Sequence, residues 1–87
     1  MSEQKVQKKI LEWLNANNYL AYKIVTANRA GVPDIIACSP IGQYVAIEVK
    51  YGSNTVSKLQ DYVLREIKKR NGIAIVAYSL EDVIEAL

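Results

Sequence analysis

The chain has 87 residues, a net charge of +2 and no histidine. That length makes a single domain, residues 1–87, near the lower end of what folds alone, and the mild positive charge permits a nucleic-acid partner without demanding one. Without histidine, Ser-His nucleophilic chemistry and the usual zinc sites are excluded, so any catalysis falls to carboxylates, lysine or a hard metal ion.

Ser2 is placed to cap a first helix that runs to about Leu14 or Asn17. Val6, Ile10, Trp13 and Leu14 make its apolar stripe, and the cluster Asn15, Asn17 and Asn18 breaks it. Glu3 and Gln7 fall at helical spacing with Ile10 and Leu14, so they extend the inward-facing stripe, whereas Glu12 points to the opposite, solvated side. Glu3 therefore has two readings: an acid facing the interior, or a favourable charge in the first turn of a helix.

Tyr19 to Val25 reads as a strand of aromatic, aliphatic and β-branched residues. The segment from Thr26 to Gly31 reads as a loop, with Arg29 either an exposed loop cation or a phosphate contact. Asp34 then opens the apolar run Ile35-Ile36-Ala37-Cys38. A turn signal, Ser39-Pro40-Ile41-Gly42-Gln43, separates it from a second run, Tyr44-Val45-Ala46-Ile47, that ends in Glu48-Val49-Lys50. Two such runs with Pro and Gly between them predict a β-hairpin. Folding it back carries Asp34 towards Glu48. Side chains two apart on a strand share a face, so Glu48 and Lys50 project together while Val49 turns towards the core. Cys38, the single cysteine, reads as a small core residue, and the lack of a pairing partner within the chain fits a reducing compartment.

Two carboxylates and an ammonium closing otherwise apolar strands are costly to bury unpaired. Carboxylates held close repel, and one keeps its proton unless a cation joins them. A hard divalent ion such as Mg²⁺ suits that arrangement; an Asp–Lys–Glu ion-pair cluster at a strand end is the plainer alternative.

After a loop from Tyr51 to Val56, Ser57-Lys58-Leu59-Gln60 opens a second helix with a capping-box pattern. Leu59, Val63 and Ile67 make its stripe, widened by Tyr62 and Leu64, and this arc is broad enough to cover a partner chain as well as the core. Lys58, Arg65, Lys68 and Lys69 lie mostly on the other side, either as a solvated face or as a surface that follows a phosphate backbone. Gln60 either only completes the cap or also, one short loop after Lys50, reaches a scissile phosphate or a metal-bound water. Asn71-Gly72 stops the helix. Ile73 to Tyr78 is so apolar that it reads as a central strand, and Ser79 caps a last short helix from Leu80 to Leu87. A crossover helix between the Tyr44–Val49 and Ile73–Tyr78 strands favours their parallel pairing. The expected fold is α/β, in the order α-β-β-β-α-β with a short C-terminal helix and a mixed four-stranded sheet. No run is apolar and long enough for a membrane span, and no signal peptide is expected.

Pro33-Asp34 and Glu48-Val49-Lys50, in this order of elements, resemble the PD-(D/E)XK nuclease superfamily and its restriction-endonuclease-like core. With Ser2-Glu3, Gln7, Gly31-Val32-Pro33-Asp34, Gly52, Ser57-x-x-Gln60 and Ser79-Leu80-Glu81-Asp82-Val83, the chain is similar, over nearly its whole length, to a stand-alone bacterial or phage-type VRR-NUC domain. The resemblance implies a DNA endonuclease that uses Mg²⁺ or Mn²⁺. By it, Asp34, Glu48 and the backbone carbonyl of Val49 hold the metal, with help from Glu3. Lys50 orients the attacking water and offsets phosphate charge, and Gln60 corresponds to the family glutamine after the E-x-K strand. Lys58 stands where many relatives carry Pro, and the Tyr51–Val56 loop has no basic residue to meet a phosphate. Analogy with small dimeric junction resolvases points to a homodimer making paired cuts in branched DNA such as a Holliday junction, in the cytoplasm of a bacterial or phage-infected cell. Alternatives are a flap or restriction-type nuclease, and a DNA-binding or assembly module whose site is vestigial.

Overall fold

A computed structural model describes residues 2–87. The elements are α1 (Glu3–Ala16), β1 (Leu20–Lys23), β2 (Ile35–Cys38), β3 (Tyr44–Val49), α2 (Lys58–Lys69), β4 (Ile73–Ala77) and α3 (Leu80–Ala86). This is the expected α/β order, and the sheet is mixed: β1 to β2 and β2 to β3 are antiparallel, β3 to β4 parallel.

Each helix starts where a side-chain oxygen takes up orphaned backbone N–H groups. Ser2 accepts from the Lys5 N–H, Ser79 from that of Asp82, and Ser57 with Gln60 forms a complete capping box. At the end of α2 the left-handed residue is Asn71, at φ 65°, and the Gly72 N–H then donates to the Ile67 carbonyl at 3.0 Å. The hairpin turn closes through the Ser39 N–H on the Gln43 carbonyl at 2.9 Å.

The alternation along β3 divides the molecule into two layers. Val45, Ile47 and Val49 face α1 and α3 and join Ile10, Leu14 and Ile35 in a core closed to solvent. Ala46, Glu48 and Lys50 face the other way, towards α2. There Leu64 is the fully buried residue of the helix, while Leu59 and Tyr62 remain 47% exposed. The predicted α2 stripe is thus centred one residue further on than the sequence suggests, and part of its apolar arc covers nothing in this chain.

Three expectations are corrected. The strand order is β1-β2-β3-β4, so β4 is an edge strand and not a central one. Its apolarity arises because Ile75 and Ala77 pack into the α1/α3 layer, whereas Val76 on the α2 side is exposed. Cys38 is exposed, because it closes β2 on the thinly covered side. The first strand is shorter than Tyr19 to Val25: only Leu20–Lys23 pairs with β2, and the chain then leaves the sheet after the Ile24 N–H donates to the Asp34 carbonyl at 2.8 Å.

The loop before β2 is pressed onto α2 at Gly31. Its φ is +84°, and a Cβ there would lie 2.8 Å from Leu59 Cγ and 3.2 Å from the Leu59 carbonyl oxygen. Only glycine meets both demands, and this close approach sets the path by which the chain enters β2 at Asp34.

Candidate active site

The β2–β3 register pairs Ile35 with Ile47, and one step outward it sets Asp34 opposite Glu48. Both side chains therefore leave the sheet on the α2 side. The Val49 N–H donates to Asp34 Oδ2 at 2.8 Å, which ties the carboxylate across the hairpin. Glu48 is 2% exposed. Lys50 Nζ stands 3.5 Å from Glu48 Oε2, and Gln60 Nε2, from the first turn of α2, donates to the same oxygen at a long 3.4 Å. Gln60 also completes the capping box, its Oε1 accepting from the Ser57 N–H at 2.9 Å.

The electrostatics follow from this crowding. Burial first, and then the hydrogen bond to and charge of Asp34, raise the Glu48 carboxyl from 4.5 to about 7, although Lys50 pulls in the opposite direction. Near neutral pH, Glu48 is thus balanced between keeping a proton and accepting a cation. Two carboxylates that face one another, one of them this reluctant to ionise alone, make a donor set that fits a hard divalent ion.

The remaining predicted residues are placed differently. Glu3 is half-buried in the first turn of α1. It does not join Asp34 and Glu48: no group of three His, Cys, Asp or Glu side chains poised for a metal occurs among the described residues. Arg29 lines a separate cleft of about 400 Å³ along α2, with Tyr44, Tyr62 and Arg70 among its walls. Lys58 and Lys68 are exposed. Arg65 is engaged with Asp61 at 3.0 Å and Lys69 with Glu66 at 2.9 Å, exposed pairs of the kind that contribute little to stability. Lys69 and Arg70 together hold the Glu66 carboxyl below its ordinary range through their hydrogen bonds to it. Sequence reasoning gave Val49 only a carbonyl role and missed its N–H as the tie on Asp34, since a backbone donor leaves no mark in residue types. It also missed the Tyr78 hydroxyl, which donates to the Asn54 carbonyl at 2.7 Å and pins the loop that follows Lys50.

Comparison with known proteins bears on the whole chain. The family model of the VRR-NUC domain matches residues 1–81. The chain belongs to the VRR-NUC family. A solved structure described as a VRR_NUC domain superposes with a TM-score of 0.83 at 27% identity, covering 95% of this chain and 90% of that one. A search of curated proteins finds no match. VRR-NUC domains are nuclease domains, and the substrate class that follows is DNA. No described helix is long and apolar enough to cross a membrane.

Proposed function

We propose that this VRR-NUC protein is a Mg²⁺-dependent DNA endonuclease of the PD-(D/E)XK type, with Mn²⁺ able to substitute. The observation that carries the reading is the meeting of Asp34, Glu48, Lys50 and Gln60 on one side of one sheet end. Asp34 and Glu48 would hold the ion, with the Val49 carbonyl as a third donor. The bound ion supplies Lewis acidity, polarising the phosphoryl group and lowering the pKa of water. The rest falls to the chain. Lys50, held within ion-pairing distance of Glu48, orients the attacking water and offsets negative charge gathering on the phosphate. Gln60 steadies the Glu48 carboxylate from α2. The Val49 N–H keeps Asp34 from swinging away when its proton partner or counter-ion changes. The expected products carry 5′-phosphate and 3′-hydroxyl ends.

The proposed substrate is branched DNA such as a four-way junction, cut at paired positions by a homodimer. The pairing is supported by the uncovered part of the α2 arc, where Leu59 and Tyr62 are each 47% exposed beside Tyr44 at 49%. Contiguous exposed apolar surface of this kind marks an interaction face. Lys58, Lys68 and, once freed from their helix ion pairs, Arg65 and Lys69 would follow the phosphate backbone, as would Arg29.

A panel of radiolabelled four-way junctions, flaps and plain duplexes, incubated with Mg²⁺, tests the activity and its preference together. Wild-type protein should cut, junctions best, and Asp34→Asn should not. Equal cutting by Asp34→Asn sinks the assignment of the site. Sedimentation at working concentration tests the pairing: a strict monomer removes the paired cut and leaves the metal-dependent cut standing.

A further inference from the structure

The loop that follows Lys50 carries no cation, but it opens on an aromatic residue. Tyr51 is 41% exposed, and so is Tyr78. A single exposed tyrosine calls for no explanation. These two, however, line one cleft of about 280 Å³, together with Val6 and Lys9 of α1 and Leu80 and Glu81 of α3. Neither ring stacks on the other: among the described residues the close aromatic pair is Trp13 with Tyr19. The wall they form is fastened. The Asn54 N–H donates to the Tyr51 carbonyl at 3.3 Å, and the Tyr78 hydroxyl donates to the Asn54 carbonyl at 2.7 Å, so the turn that carries one tyrosine is tied to the other.

The backbone sets this cleft around the end of the sheet from the carboxylates. The Lys50 N–H donates to the Ala77 carbonyl at 2.9 Å, so the peptide that leads into Tyr78 lies directly against Lys50. Tyr51 is the next residue along the chain. Lys50 belongs to the α2 side with Glu48, whereas the cleft opens between α1 and α3. What separates them is the end of β3, and consecutive Cα atoms there are about 3.8 Å apart. A stacked DNA strand advances about 3.4 Å per nucleotide. A strand whose phosphate is held at Lys50 therefore presents a neighbouring base to Tyr51 as it passes the sheet end.

The lining selects the ligand. A base has two flat π faces, and aromatic side chains stack on them whatever the sequence. The charges of Lys9 and Glu81 offset one another, which suits an uncharged ring with donors and acceptors on its edge. A phosphate would meet repulsion from Glu81. At a branch point, or in a single strand, a base lacks the neighbour on which it stacks in a duplex and can take a tyrosine ring instead. We propose that Tyr51 and Tyr78 form a subsite for an unstacked nucleobase of the strand whose phosphate lies at Lys50. The inference rests on the reading of the protein as a DNA nuclease. It gives the cation-free loop a contact with bases in place of one with phosphates, and a physical reason for preferring branched over fully paired DNA.

The test is fluorescence anisotropy of the full chain in EDTA at low ionic strength, with a labelled single-stranded oligothymidylate and an abasic strand of the same length. Both strands carry the same phosphates, and only the first carries bases. Wild-type protein should hold the thymidine strand more tightly than the abasic one. Tyr51→Ala should weaken binding of the thymidine strand roughly tenfold, the usual effect of removing one stacking ring, and should leave abasic binding unchanged, which also shows that the variant is folded. Tyr51→Trp should bind the thymidine strand at least as tightly as wild type. The subsite is overturned if wild type holds both strands equally, or if Tyr51→Ala binds the thymidine strand like wild type. An equal loss on both strands overturns it too, because the ring would then act through the loop or the phosphates, and so does a Tyr51→Trp as weak as Tyr51→Ala. If wild type binds a four-way junction but neither single strand, the subsite fails alone. If it binds none of the three, the DNA reading fails with it.

Discussion

The two sides of β3 do different work with the same backbone. On the α1/α3 side, Val45, Ile47 and Val49 are sealed from water among other apolar side chains. On the α2 side, Ala46 gives way to Glu48 and Lys50, nearly as buried but charged. A strand that alternates in this manner seats the charged groups on a well-packed element: every second residue is core, so the carboxylate between two core residues has little freedom to drift. Covering is thorough where stability is made and thin where chemistry is proposed, since α2 contributes only Leu64 to full burial.

Four substitutions should test that division. The largest effect belongs to the charged side: Asp34→Asn should abolish cleavage and metal binding while the melting temperature stays near wild type, because an amide oxygen can still accept from the Val49 N–H. Cleavage assays with Mg²⁺ alongside thermal melts decide it, and joint loss of fold and activity would mean that the two sides are not separable. Next comes the apolar side. Ile47→Ala should cost about 2–5 kcal/mol in denaturant unfolding, the range for emptying a sealed core site, and should reduce cleavage only through the unfolded fraction.

Third is the pH response of the metal-free protein. The folded-state pKa of Glu48, about 7, lies above its model value of 4.5. The native state therefore holds the extra proton through that window, and stability should be greatest below about 4.5 and fall as pH rises towards 7, beyond which the loss is complete. Glu48→Gln should flatten that slope in urea titrations at several pH values. Metal binding should run the opposite way, tightening as pH rises through 7, because the ion must displace the proton. The smallest effect is at the edge of the thin side. Gln60→Ala removes one half of the capping box and one contact to Glu48, and should cost about 1 kcal/mol in stability with a lowered cleavage rate. An unchanged rate at full saturation would confine Gln60 to its helix.

Much of this was legible in residue order. The caps at Ser2, Ser57 and Ser79 and the hairpin between Ile35 and Val49 follow from local chemistry, and two-residue periodicity put Glu48 and Lys50 on one side without any knowledge of the rest. What escaped depended on neighbours that are far along the chain. Ile73 to Ala77 looked central because apolarity records how well a strand is covered above and below, and says nothing about whether another strand lies beside it. Cys38 looked interior for the same reason: its neighbours are apolar, but it lies over a part of the sheet that α2 does not reach. Leu59 and Tyr62 match the helical period as well as Leu64 does, and only the angle at which α2 meets the sheet decides which of them is hidden. At the site, the pairing of Asp34 with Glu48 could be read from the hairpin, whereas the separation of Glu3 from that pair depends on how α1 packs on the sheet.

Gln60 fastens the start of α2 and touches Glu48 with the same side chain. Helix ends fray on fast timescales, so each loosening of this first turn lets go of the carboxylate as well. The local opening rate of α2, measurable by hydrogen exchange at its first amides, therefore also clocks how often the Glu48 oxygen stands unsupported, and a DNA strand lying against the helix would slow both at once.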